Sequence, residues 1–486
     1  MNQLSFRIIA LGLAALLFAG TAHAVIIVDG TGDEIADDGV CTLREAITAI
    51  NSGTVVNECD ASGGADTIFI EAGGTITLKS ALPALESMTI LGNGHAVSGD
   101  DAVRVFRIAS GADVVMEDIS ITNGNAGSGT GGGIQLIDGG TLTLSRCVIS
   151  DNTAHAGGGL RSQSNGATNT INITECLFSN NQSPTEGGGG INNDNNSVMT
   201  ITRSTIAGNS GKFAGGIANY NGAVMTIRNS TISGNSCTDA SAGGGVENFG
   251  DESILNIENS TITNNSCGGS NSGGGIYNNT TAPALINTIV ADNQADRPDL
   301  SGSFSSLGNN LIGDTTGSTG FINGLNGDQA GSDTDPIDPM LEELADNGGP
   351  TPTHALAAGS PAIDNGNNDV APDTDQRGAG FPRIVQGVID IGAFERCDPL
   401  PLITASVGDG SGSIAPESVS VACGEPQAFT LTADPGYRPS SVEGSCPGTL
   451  AGNVFTTDPI TEDCNIVANF IAVPDEVFKD RFENAD

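Results

Sequence analysis

The chain has 486 residues, with 57 Asp and Glu against 17 Lys and Arg, a formal net charge of -40. That charge argues against nucleic acid, anionic membrane surfaces and polyanionic glycans as partners. The length fits two or three domains, or one elongated solenoid that absorbs about 300 residues without a globular core.

Residues 1–24 read as a signal peptide: Arg7 ahead of an apolar run, closed by Ala22-His-Ala. The run is too short to span a bilayer comfortably, and no later stretch qualifies. Removing it takes away one Arg and leaves a net charge of -41. The product is therefore expected outside the cell, secreted or at the cell surface, with no transmembrane segment in the mature chain.

Residues 25–82 read as an N-terminal cap, because a solenoid needs its first apolar end covered. Within it, 42–50 is the best helix candidate, with Leu43, Ala46, Ile47 and Ile50 on one face. Arg44 and Glu45 are expected to form a local ion pair there.

Residues 83–300 carry a repeat. The stretch 142–152 reads Leu-Thr-Leu-Ser-Arg-Cys-Val-Ile-Ser-Asp-Asn, and 171–181 reads Ile-Asn-Ile-Thr-Glu-Cys-Leu-Phe-Ser-Asn-Asn. The closing Asn recurs at 152, 181, 209, 235, 265 and 293, so the period is close to 28. Aliphatic columns (Leu144, Ile173, Ile201, Ile227, Ile257; Ile149, Phe178, Ile206, Ile232, Ile262) alternate with polar residues, which is strand spacing. Glycine pairs precede an aliphatic residue in each repeat, and Asn193, Asn219, Asn248 and Asn278 follow the glycine by three. The fold expected is an all-β, right-handed parallel β-helix of about 28-residue coils. Asn and Gly take the corners, and stacked Asn amides link one coil to the next. A leucine-rich repeat is rejected for want of its Leu pattern, and a propeller for its longer period.

Ten cysteines in an exported chain imply disulfides. Cys147 and Cys176 share a repeat position on consecutive coils, as do Cys237 and Cys267, within bonding range of each other. A reduced Cys column is the alternative at these positions. Cys41 with Cys59 and Cys446 with Cys464 close local loops, while Cys397 and Cys423 are left without an assigned partner.

Residues 301–396 loosen the spacing and read as closing coils. Asp328, Asp333, Asp335 and Asp338 form an acidic loop that is a weak calcium candidate, with a solvated turn as the plainer reading. No other cofactor is expected. His354, Asp375 and Arg377 are assigned to buried ion pairs at a coil terminus. Residues 397–401 are a linker, 402–473 a small separate β module with alternating strands, and 474–486 an acidic tail read as a sorting tag.

Several of these motifs resemble known families. Cys41-Thr-Leu-Arg-Glu-Ala resembles the Cys-Ser-Leu-Arg-Glu-Ala motif at the start of many bacterial secreted β-helix proteins. Phe178-Ser-Asn-Asn and the Gly-Gly-Ile copies, such as Gly132-Gly-Ile, are similar to repeats of polymorphic outer-membrane proteins. Residues 345–395, with Asn347-Gly-Gly-Pro, Gly359-Ser-Pro-Ala-Ile-Asp and Asp390-Ile-Gly-Ala-Phe-Glu, resemble the choice-of-anchor Q domain. That resemblance implies a β-helix on an exported protein with a surface or secretion signal, and no catalytic residues. The module at 402–473 resembles divergent internalin-B-type repeats, which implies adhesion or spacing.

No catalytic set is legible along the chain. A lyase needs a basic residue and cations. The coils offer Arg146, Arg161, Arg203, Lys212, Arg228 and Arg297. Arg146 and Arg203 share a column with Glu175, Asn229 and Glu258, which reads as alternating surface charge. A hydrolase needs convergent carboxylates, and Asp151 and Asp292 are explained by corner geometry. Tyr220 and Phe249 read as stacked on each other more than as a sugar platform. The expected role is an exported, non-catalytic adhesive or scaffold β-helix, with a surface glycan or protein as ligand. The alternative is a polysaccharide lyase or hydrolase. Recognition is assigned to the variable turns after the closing Asn, such as 153–156 and 236–242. Oligomeric state is not legible.

Overall fold

The computed structural model describes residues 24–385, 387–397, 399–421 and 423–473. The segment read as a signal peptide, except its last residue, and the tail at 474–486 lie outside the described residues.

Over the described residues the chain winds into a parallel β-helix built of three long sheets. The first sheet has 11 strands, from Val25–Val28 to Ser305–Ser306; the second also has 11, and the third has nine. One coil illustrates the winding. Leu160–Gln163 lies in the third sheet, Asn169–Thr174 in the first and Leu177–Ser179 in the second. The short strand Gln182–Ser183 then joins a four-stranded edge. Every aliphatic column pairs in register, with Ile206 opposite Ile232 and Ile232 opposite Ile262. All three are fully buried, each contributing roughly 1.5–3 kcal/mol of apolar burial. The first sheet already contains Val25–Val28 and Thr67–Ile70, so winding begins inside the segment read as a cap.

The helix is real and runs Leu43–Ser52. Thr42 and Glu45 form a capping box at its start. Arg44 and Glu45 do not pair with each other. Arg44 binds Asp33 at 2.8 Å, and Glu45 accepts backbone N–H bonds from Thr42 and Ala36.

Two asparagine ladders tie the coils together. Asn152, Asn181, Asn209, Asn235 and Asn265 each donate Nδ2–H to the next Asn Oδ1 at 2.9 Å. The series ends on Asp299, which accepts from Asn293 at 2.9 Å. Asn193, Asn219 and Asn248 form a second ladder reaching Asn278. The glycine pairs follow from the same closeness. A Cβ at Gly158 would lie 2.5 Å from the carbonyl oxygen of Gly189 one coil away, so only glycine fits. Asp151, Asn180, Gly208, Gly234, Asn264 and Asp292 all have φ between 56° and 66°, which explains that column by backbone alone.

The expected Cys147–Cys176 disulfide does not form; both thiols are free and buried. They occupy the top of a hydroxyl ladder. Cys147 N–H donates to Cys176 Sγ at 3.3 Å, Cys176 N–H to Ser204 Oγ at 3.1 Å, and Ser204 N–H to Ser230 Oγ at 3.1 Å. Each side chain points along the axis to serve the coil before it and returns its own hydrogen to a carbonyl two residues back. The sulfurs therefore act as serine oxygens. Cys176→Ser is expected to shift stability by under about 1 kcal/mol in urea unfolding, and both thiols should react with a maleimide only after denaturation. The other three expected bridges are present, and Cys397 pairs with Cys423.

The segment at 301–396 divides. Its first part continues the coils to Gln329–Ala330. The remainder does not cap the end; it folds back as a strap along the outer face of the second sheet. Asn309, Asn287, Asn259 and Asn229 donate in turn to the carbonyls of Asn365, Asn367, Val370 and Thr374. Ile289, Ala291 and Leu311 face outward and are buried under Leu356, Ala362, Ile391 and Phe394. The same corner column carries Arg146, Glu175 and Arg203, with Arg203 and Glu175 paired at 2.9 Å. Glu258 is not in this column; it lies one residue earlier, opposite Arg228, which it pairs at 2.8 Å.

His354 lies on the flank, not at a terminus, and among the described residues it is in no ion pair. Its Nδ1 donates to the Glu342 carbonyl at 2.7 Å, and its Nε2 accepts from Ser233 Oγ at 2.8 Å. Burial holds it below the usual histidine range and therefore neutral. Asp375 and Arg377 do pair, at 2.6 Å. Beneath the strap Arg383 is fully buried, with Glu395 4.0 Å away and Asp390 nearby. Burial and Asp390 push Glu395 up to about 9, while burial pushes Asp390 only to about 6. Because a guanidinium does not deprotonate, Asp390 is the ionised partner and Glu395 the neutral one.

The C-terminal module is a pair of four-stranded sheets around Ile403, Phe429, Leu431, Ile466 and Phe470. The Cys397–Cys423 bond fastens it to the strap.

Candidate functional site

The four acidic calcium candidates do not converge. Asp328 is buried as a ladder acceptor, taking the N–H and Nδ2–H of Asn310. Asp333, Asp335 and Asp338 are exposed, and Asp338 caps the Met340 N–H. Among the described residues no group of three or more His, Cys, Asp or Glu side chains is placed to hold a metal ion.

The polar chemistry collects elsewhere, on the outer face of the third sheet. Its strands Leu160–Gln163, Ile191–Asp194, Ile217–Tyr220 and Val246–Phe249 stack in register. Ile, Leu or Val at the first position points inward, as does the ladder residue at the third. The second and fourth positions point out. The second-position column reads Arg161, Asn192, Ala218, Glu247, and the fourth-position column reads Gln163, Asp194, Tyr220, Phe249. On most of the solenoid such outward positions carry Ser, Thr or Asn. Here they carry two carboxyl groups, a guanidinium and two rings.

These side chains floor a cavity of about 620 Å³. One wall is made by the variable turns after the closing Asn, through Glu186, Phe213, Ala240 and Ser241. Arg161 and Asp194 are each only 5% exposed, and Glu247 3%. Arg161 Nη2 binds Asp194 Oδ2 at 2.6 Å, and Asn221 Nδ2 donates to Asp194 Oδ1 at 2.8 Å. The Tyr220 hydroxyl donates to Glu247 Oε2. It lies directly over Gly187, where any side chain would overlap it. Tyr220 and Phe249 pack edge to face, with ring centroids 6.1 Å apart. They stack on each other, as their spacing in the repeat implies, and they also line the cavity. At the rim Lys212 pairs Asp239 at 3.5 Å, and His155 lies 3.3 Å from Glu186.

The electrostatics follow from burial. Desolvation pushes Glu247 up to about 8, with Asp239 adding to the rise and the Tyr220 hydrogen bond opposing it. At neutral pH it is largely a carboxylic acid. Burial and the neighbouring Glu247 hold the Tyr220 phenol well above its ordinary value. Burial pulls Arg161 down against the opposing pull of Asp194, Glu186 and Tyr220. Among the described residues Arg161 Nε and Nη1 have no hydrogen-bond partner. Placing two carboxyl groups and a guanidinium in a nearly dry pocket costs stability, and perturbed ionisable groups in a cleft are candidates for a functional site.

The sequence alone singles out Arg161, Tyr220 and Phe249 but not Asp194, Glu186 or Glu247. The signal for the two strand carboxylates lies in the positions one and three after each Gly-aliphatic pair. Aligning those positions across four coils assembles the cluster.

Fold and site together define a parallel β-helix with a polar, aromatic-edged cleft on one outer face. No family model matches the chain, and no curated protein matches it. One solved structure that resembles it is the crystal structure of pectate lyase Pel9A, at 14% identity and a TM-score of 0.42, covering 77% of this chain and 98% of that one.

Proposed function

We propose that the protein is an exported β-helix that recognises a neutral carbohydrate chain in the cleft on its third sheet. The observation that carries this is the cleft itself, where rings from three coils edge a pocket whose floor is hydrogen-bonding acids and a guanidinium. Sugar recognition uses that combination of aromatic faces for C–H surfaces and fixed polar groups for hydroxyls. The net charge of -40 disfavours a polyanionic ligand. Export is supported by the leader-like sequence at 1–24 and by four disulfides. Among the described residues no helix is long and apolar enough to cross a membrane. The strap's resemblance to choice-of-anchor Q supports display at a cell surface, with the internalin-like module as a spacer or second adhesive unit.

Affinity gel electrophoresis against xylan, mannan, galactan and β-glucan tests the reading. At least one neutral glycan should retard the chain. Phe249→Ala, at a residue 41% exposed, should weaken that retardation about tenfold, the scale of one aromatic contact. Retardation by none of them, or full retardation of the Phe249 variant, would remove the cleft as the binding site.

A further inference from the structure

We propose that the same cleft hydrolyses the glycan it holds, with Glu247 protonating the leaving glycosidic oxygen and Asp194 taking a proton from the attacking water. This rests on the glycan-binding reading and extends it to a reaction.

Three observations carry it. Glu247 and Asp194 both line the cavity, from strands two coils apart. Coil spacing puts their backbones about 10 Å apart along the axis direction, with the Ile217–Tyr220 strand between them. Second, the two carboxyls have different partners. Asp194 is clamped by Arg161 and Asn221. Glu247 has Oε2 taken by the Tyr220 hydroxyl and no cation bonded to it. As the neutral acid it carries its proton on Oε1. A carboxyl bonded to a guanidinium beside one that burial keeps protonated is the base and acid arrangement of a hydrolytic site. Third, Arg161, which lines the cavity, has Nε and Nη1 buried with no hydrogen-bond partner among the described residues.

The step balances. The proton passes from Glu247 to the glycosidic oxygen as the C1–O bond breaks, and that oxygen leaves as an alcohol. Water bonds to C1, its second proton goes to Asp194, and the ring becomes a hemiacetal. Solvent returns the proton from Asp194 to Glu247. No metal or oxidant enters.

The experiment uses the full mature chain and the neutral glycan that retards it. Reducing ends are measured over time for wild type, Glu247→Gln and Asp194→Asn, beside gel retardation of each. Turnover by wild type is expected, with each variant slower by about 100-fold or more and Glu247→Gln still retarded by the glycan. The wild-type rate should fall as pH rises through about 8. Retardation without any release of reducing ends would overturn hydrolysis and leave binding standing. Turnover unchanged in Glu247→Gln would overturn the assignment of the acid. Absence of retardation by any glycan would instead sink the binding reading beneath it.

Discussion

Asn235→Ala is expected to destabilise the solenoid by roughly 3–6 kcal/mol, the sum of several stranded polar groups. Asn235 is fully buried. Its Oδ1 accepts from both the N–H and the Nδ2–H of Asn209, at 3.0 and 2.9 Å. Its Nδ2 donates to Asn265 Oδ1 and to the Ile206 carbonyl, each at 2.9 Å. Alanine strands two donors of Asn209 and removes a partner from two acceptors. A buried donor left without a partner costs about 1–3 kcal/mol, and the tight stacking of coils gives the site little room to relax or admit water. Asn235→Asp separates the contributions, because a carboxylate can accept from Asn209 but cannot donate to Asn265 or Ile206. It should be as destabilising as alanine at pH 7 and less so at pH 4. Urea midpoints for the three chains check this; a loss under about 1 kcal/mol for alanine would mean the ladder is ornamental. Phe249→Ala, by contrast, sits at the rim and should leave the midpoint nearly unchanged.

The ladder is legible in the sequence alone, and the reasons are physical. A solenoid repeats its environment every coil, so a residue type that suits a corner once suits it again, and columns become visible in the sequence. Asn152 to Asn293, the left-handed corners and the inward aliphatics follow from that alone. The strap is not legible, because it covers the coils without repeating. Its trace is present: the corner column changes from Arg146, Glu175 and Arg203 to Asn229, Asn259 and Asn287 where strap carbonyls need donors. Outward Ile289 and Leu311 likewise break the polar pattern where Leu356 and Phe394 cover them. Cys147 and Cys176 mislead through their own chemistry, since exported cysteines suggest bonds. Their column continues as Ser204, Ser230 and Ser260, which gives the better answer. The cleft escapes for a different reason. Its residues are dissimilar from coil to coil, so a search for repetition passes over the positions where function varies.

The wild-type chain should be markedly more stable near pH 5 than at pH 8.5, and Glu247→Gln should remove the share of that slope that Glu247 carries. Glu247 titrates near its ordinary 4.5 in the unfolded chain and near 8 when folded. The folded state therefore binds this proton more tightly, and the contribution is complete below about pH 4.5. It is lost as pH rises toward 8, at about 1.4 kcal/mol per pH unit, or roughly 4–5 kcal/mol in all. Asp299, pushed by burial from 3.8 to about 7, acts in the same direction between those values, as do Asp390, raised to about 6, and Glu395, raised to about 9. Glu45 opposes them at the acid end. Burial alone would raise it, but hydrogen bonds from Thr42, Asn57 and Ala36 outweigh that and hold it low. Its stabilisation is present above its unfolded value and lost as pH falls, which places the optimum near pH 5. In Glu247→Gln the amide oxygen can still accept the Tyr220 hydroxyl, so packing is preserved while the titration is gone. Urea midpoints at pH 5, 7 and 8.5 for both chains give the answer. A wild-type midpoint that is flat or rises with pH, or a variant that keeps the full slope, would mean that Glu247 is ionised in the folded cleft. The acid that the cleft offers a substrate would then be absent.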